Sequence, residues 1–138
     1  MAMIDTLKPA FEQLGVELKH NEPMCYDFEY EYLPVTLVVD EDNPGNPEYF
    51  LTERVHDPLN GAMDEYIFTT AMEVVKEFHP AYTGDWNDGS PFVMSEFYQM
   101  GHEPVPTQVL RQQLDDFVEF YCFLEVNIFL VHETKDIK

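Results

Sequence analysis

The chain has 138 residues, and its 27 acidic side chains against seven lysines and arginines give a net charge of −20. Apolar residues at 45% and aromatics at 14% rule out a disordered acidic tail, and the length suffices to bury a real core in the single domain expected over 1–138. A surface this acidic repels nucleic acid and anionic lipid, which proteins bind through lysine and arginine. Cys25 and Cys122 form no CxxC pair and no framework, which points to reduced, buried thiols. The opening MAMIDTLKPAF lacks the basic start and apolar centre of a signal peptide, so a cytoplasmic location is expected.

The spacing of Ile4, Leu7, Phe11 and Leu14 predicts a short amphipathic helix. Asp5 or Thr6 would cap it, Pro9 would fall in its first turn and Gly15 would stop it. Over residues 26–32 aromatics and acids then alternate strictly, with Tyr26, Phe28, Tyr30 and Tyr32 against Asp27, Glu29 and Glu31. Period two over seven residues predicts a strand with one wet face. Leu33-Pro34 should break it, and Val35, Leu37 and Val39 resume with the opposite parity. Residues 40–47 are dense in turn formers, and Tyr49, Leu51 and Val55 mark a third strand. These three segments read as an antiparallel meander.

A second helix is expected from about Asn60 to Phe78, capped by Asp57 or Asn60 and ended by His79-Pro80. Met63, Ile67, Thr70, Ala71, Val74 and Phe78 form one apolar stripe on it, and Phe68, Met72 and Val75 form a second. Together they cover roughly two hundred degrees of arc, about twice what packing on a sheet requires. That width predicts a homodimer contact through Phe68, Met72 and Val75, with a crowded core as the competing explanation. Residues 81–86 and 92–100 flank Asn87-Asp88-Gly89-Ser90-Pro91 and predict a hairpin.

The longest helical pattern spans 105–132, with Pro106 in the first turn. Leu110, Leu114, Phe117, Tyr121, Leu124 and Ile128 form its buried stripe, while Gln112, Gln113, Asp115, Asp116 and Glu119 take the wet side. Past Phe120 the pattern is apolar nearly all round, which implies cover from two sides. Glu119, Glu125, Asn127 and His132 interrupt it too often for a membrane span. Residues 126–131 also suit a strand, but the stripe continues in register from Leu110 and favours helix. The order helix, three strands, helix, two strands, helix predicts an α+β fold with a mainly antiparallel sheet.

Motifs that carry chemistry are missing from the sequence. His20, His56, His79, His102 and His132 stand singly, in no zinc spacing. Asp40, Asp42 and Gly45 resemble a calcium loop until Pro44 and Leu51 replace its oxygen ligands. No glycine-rich phosphate loop, GxSxG elbow or readable thiol partner occurs, so no cofactor, metal or catalytic residue is assigned.

AMEVVKEFHPAYTGDWNDGSPFVMSEFYQ followed by VPTQVLRQQLDDFVEFYCFL gives helix, hairpin and closing helix. With this element order the chain resembles the type III secretion chaperones and the related YbjN-like bacterial proteins. The resemblance implies an α-β-β-β-α-β-β-α domain, cytosolic, frequently dimeric through the middle helix, whose chaperone branch binds partner polypeptides without catalysis. It transfers no individual site residue.

The expected function is therefore a non-enzymatic cytoplasmic protein, chaperone-like or regulatory, that recognises another polypeptide. A homodimer and a basic or amphipathic polypeptide are the expected partners. Two other readings stand beside it: an acidic nucleic-acid mimic that sequesters a DNA-binding protein, and an enzyme built from dispersed carboxylates.

Overall fold

The structure is a computed structural model that describes residues 3–40, 48–80, 82–87, 90–98 and 105–136. The fold is α+β. Helix α1 (Met3–Gln13) precedes strands β1 (Lys19–Glu22), β2 (Cys25–Tyr30), β3 (Leu33–Asp40) and β4 (Glu48–Arg54). Helix α2 (Glu65–Phe78), strands β5 (Tyr82–Asn87) and β6 (Ser90–Tyr98), and helix α3 (Thr107–Asp136) complete the chain. The strands hydrogen-bond in the order β1-β2-β3-β4-β6-β5. The pairings β1–β2, β2–β3, β3–β4 and β5–β6 are antiparallel. The chain, read from sequence as one domain, groups its contacts into two compact units. Unit 1 comprises Met1–Thr52 with Glu96–Val118, and unit 2 comprises Glu53–Ser95 with Glu119–Lys138.

In unit 1, α1 ends as its glycine predicts. Gly15 adopts φ +72°. Its N–H donates to the Glu12 carbonyl and that of Val16 to the Phe11 carbonyl, both at 3.0 Å, which completes a Schellman motif. Asp5 and Thr6, expected as caps, lie inside the helix, and so does Pro9, well past the first turn, where it removes one helical hydrogen bond. The buried side holds Ile4, Leu7, Ala10 and Phe11, and Phe11 meets Phe28 of β2 edge to face at 5.1 Å.

Strand β1 is absent from the sequence reading, because Lys19-His20-Asn21-Glu22 has neither β formers nor alternation. Only pairing with β2 makes it a strand: His20 sits opposite Tyr26, and their rings stack at 4.7 Å. The turn after β2 also differs from expectation. Glu31 and Tyr32 take φ 52° and 67°, forming a two-residue connection between the paired Tyr30 and Leu33. Leu33-Pro34 therefore begins β3 instead of breaking a strand. Proline is tolerated because pairing of β3 with β4 starts only at Thr36. Val35, Leu37 and Val39 are buried on one face of β3, as their alternation predicts, and Tyr49 and Leu51 are buried on β4.

Helix α3 confirms the helical reading of residues 126–131. Leu110, Leu114 and Phe117 are buried in unit 1, and Tyr121, Leu124 and Ile128 in unit 2. In unit 1, Tyr49 Oη donates to Gln113 Oε1 at 2.7 Å, and Tyr30 Oη to Asp115 Oδ1 at 2.5 Å. The start of α3 is tied to α1 by Thr107 Oγ1 donating to Gln13 and by the Val105 N–H donating to the Thr6 carbonyl.

Two outcomes follow from this packing. Phe117→Ala should lower stability by about 3–5 kcal/mol in a denaturant titration. Tyr30 is pushed up from 10.0 to about 12, first by burial and then by its bond to the Asp115 carboxylate. A raised folded pKa favours the protonated phenol, so its contribution is complete below pH 10 and lost towards about pH 12. Tyr30→Phe should therefore be less stable than the parent below pH 10, and the gap should close as pH rises through that window.

Candidate functional site

Unit 2 carries the surface that stands out, and α2 builds half of it. Asp64 is the N-cap, extended at φ −125°, and its Oδ1 accepts the Ile67 N–H at 2.9 Å. The helix thus starts later than the expected Asn60. Asp57, one expected cap, instead accepts the Leu59 and Gly61 N–H groups at 2.7 and 2.6 Å and holds a turn. The other, Asn60, takes φ 52° within that turn. The far end stops at His79-Pro80 as expected, the His79 N–H reaching the Val75 carbonyl.

The inner side of α2 packs on β5. A Cβ at Gly84 would come within 3.0 Å of Met72 Sδ and 3.1 Å of Phe68 Cζ, so the helix approaches the strand where position 84 has no side chain. This packing corrects the expected dimer contact. Phe68, Met72 and Val75 are 1%, 4% and 0% exposed and form core with Ile67 and Ala71. The two stripes are neighbours on the helix, and periodicity alone does not say which one faces the sheet. The residues left outside are Tyr66, Val74 and Phe78, at 61%, 39% and 65% exposure.

The C-terminal part of α3 supplies the other half. Phe120, Tyr121, Leu124 and Ile128 are buried, but Val126, Phe129 and Leu130 are 53%, 45% and 53% exposed. The all-round apolar pattern past Phe120 is therefore uncovered on its outer side. Cys122 belongs to that side and is exposed, against the expectation of a buried thiol; Cys25 is partly buried. Burial pushes both thiols up, aided by Glu125 at Cys122 and by Glu22 and Asp27 at Cys25. This is the reverse of an activated nucleophile.

The two helices run antiparallel. Phe78 meets Phe123 edge to face at 5.5 Å at one end, while Tyr66 and Thr134 line the other. Between them lies an open groove of about 540 Å³ lined by Tyr66, Thr70, Val74, Asn127, Leu130, Val131 and Thr134. Asn127 Nδ2 donates to the Phe123 carbonyl at 2.9 Å and Thr134 Oγ1 to the Leu130 carbonyl at 2.7 Å, so both donors are engaged within α3. Val74, Leu130 and Val131 give the groove its apolar surface, and Tyr66, Thr70, Asn127 and Thr134 add polar atoms to it.

A separate polar cluster surrounds Tyr121. Tyr121 Oη accepts the His56 N–H at 3.2 Å and donates to the Arg54 carbonyl at 3.4 Å. Burial pushes Glu125 up, with His56 opposing it. Arg54, His56, Asp57, Met63 and Trp86 line a small hollow of about 170 Å³, and in unit 1 Lys19, Asp27 and Glu29 edge an open hollow of about 340 Å³. His79 packs against Tyr82 and Phe120, whose rings stack at 4.2 Å. His102, Asp42, Pro44, Gly45, Asp88 and Gly89 lie outside the described residues. Among the described residues no group of three or more His, Cys, Asp or Glu could hold a metal ion, and no helix is long and apolar enough to cross a membrane.

The raised carboxyl at Glu125 fixes a sign. Its folded pKa lies above the unfolded one, so the stability it contributes is present at low pH and lost as pH rises through that folded value. Glu125→Gln should accordingly melt higher than the parent at neutral pH, and the difference should vanish below the carboxylate range of about 4.

No protein-family model and no curated protein matches the chain.

Proposed function

We propose that this chain is a non-catalytic binding protein, chaperone-like or regulatory, that recognises another polypeptide in the cytoplasm. The observation that carries the reading is the exposed apolar surface of the antiparallel α2–α3 pair, with Tyr66 and Val74 of α2 and Leu130 of α3 along the groove, Phe78 at its end, and Val126 and Phe129 exposed farther round α3. Clustered apolar side chains of this size on adjacent helices are the usual mark of a protein contact. A nucleic-acid mimic presents rows of carboxylates, and an enzyme a concave site with convergent polar groups, so neither alternative accounts for this face. The resemblance to secretion chaperones points the same way, although this chain has four strands before the middle helix where that order has three. A second copy of the chain is one polypeptide that fits the reading. A dimer would use Tyr66, Val74 and Phe78, since Phe68, Met72 and Val75 are already buried.

Site-specific photocrosslinking tests this. A benzophenone side chain at position 126 should give discrete polypeptide adducts in cells, and Leu130→Glu should abolish them. The same probe at Tyr32, exposed in unit 1, should not give them. An adduct at twice the chain mass would identify a self-contact. Equal patterns from the two positions, or no adduct at 126, would remove the reading.

A further inference from the structure

We infer that the α2–α3 groove takes a cationic amphipathic helix, a deduction that rests on the polypeptide-binding reading and names the chemistry of the partner. The first argument is about backbone. Both walls of the groove are helices whose main-chain groups are bonded within themselves, so the site has no strand edge to offer. Asn127 Nδ2 and Thr134 Oγ1 are also engaged within α3. An extended segment laid in this groove would find scattered side-chain partners and no ladder for its N–H and C=O groups, so most of them would be buried unpaired, which is costly. A helix satisfies its backbone internally and presents side chains alone, the helix-in-groove mode.

The second argument is charge. At one hundred degrees per residue Glu73 and Glu77 fall within about 20° of Tyr66, on the outer margin of α2. By the same geometry Glu119 and Glu133 fall within about 20° of Val126, on the outer margin of α3. All four are exposed. The groove is thus bordered by Glu73 and Glu77 along α2 and by Glu133 along α3, with Glu119 about 12 Å before Asn127 along α3, while Lys76 lies about 80° from Tyr66 on α2. A second copy would bring these acids against the same set, with −20 on each chain. A helix with an apolar stripe flanked by lysine or arginine complements both the floor and its margins. Length follows from the walls: Tyr66 to Phe78 spans about 18 Å, so about twelve helical residues fill it.

Fluorescence anisotropy on the full chain tests this with labelled peptides of about fourteen residues, enough for those turns. The set comprises a cationic amphipathic helix, its glutamate counterpart, and the cationic peptide broken by a central proline. The cationic helix should bind, and the other two should bind at least about tenfold more weakly, as charge reversal and the loss of helix require. Raising salt from about 0.1 M to about 1 M shortens the Debye length from about 10 Å to about 3 Å and should weaken binding severalfold. Glu73→Gln with Glu77→Gln should weaken it about two- to fivefold, and Leu130→Glu, in the groove yet exposed, should abolish it while leaving the thermal melt unchanged. Equal binding of the proline-broken or the glutamate peptide overturns this inference but leaves the polypeptide reading intact. Binding that survives Leu130→Glu overturns it too, as does a self-adduct as the sole crosslink from position 126. Absence of binding by every peptide, together with no crosslink from position 126, removes both.

Discussion

The burial of one side of α3 constrains everything around it. Leu110, Leu114 and Phe117 enter the interior of unit 1, and Phe120, Tyr121, Leu124 and Ile128 that of unit 2. Each such side chain contributes about 1.5–3 kcal/mol through burial, whereas a tether such as Tyr49 to Gln113 contributes about 1 kcal/mol net. The apolar stripe therefore sets the rotation of the helix, and the hydrogen bonds follow it. Gln113 and Asp115 lie about 200° apart on the helix, on either flank of the stripe, and Tyr49 of β4 and Tyr30 of β2 reach them.

Fixing the inner side of α3 also decides what its outer side exposes. In the first half that side carries Arg111, Gln112, Asp115 and Glu119, which water solvates. In the second half it carries Cys122, Val126, Phe129 and Leu130, which water does not. The same logic applies to α2, where packing against Gly84 turns Phe68 and Met72 inward and leaves Tyr66, Val74 and Phe78 outside. Tyr66 and Val74 of α2 and Leu130 of α3 meet along one groove, while Val126 and Phe129 are exposed farther round α3. Apolar area exposed there supplies roughly 25 cal/mol per Å² to whatever covers it. Exposed carboxylates such as Glu73, Glu77 and Glu133 lie along its margins, where solvent keeps each charge's energetic contribution small.

A chain of −20 repels its own copies at long range, and salt within a Debye length or two hides that repulsion. Beyond the groove, the polar network of Tyr121, His56 and Arg54 serves packing. The Tyr121 hydroxyl connects two backbone groups where β4 ends, and burial raises its pKa. Its role is to satisfy main chain at the edge of a core.

Periodic patterns were legible from the sequence because they are local. The alternation at 26–30 and 35–39, the stripe from Leu110 to Ile128, the left-handed stop at Gly15 and the hairpin joining Asn87 to Ser90 all follow from side-chain spacing or backbone permission. Elements that depend on a neighbour were not legible. The charged β1 is a strand only because β2 offers it an edge, and Pro34 sits in β3 only because β4 pairing begins beyond it. The wide apolar arc of α2 was visible, and so was its excess over what a sheet requires, but not the side that would be surplus. That choice was made by the close approach of β5 at Gly84, a contact between residues far apart in the chain, and it moved the exposed face from Phe68, Met72 and Val75 to Tyr66, Val74 and Phe78. Sequence by itself determined that this protein has more apolar helix surface than its sheet can cover; tertiary packing alone decided where that surplus faces, because two adjacent stripes differ by less than a turn and only the partner surface selects between them.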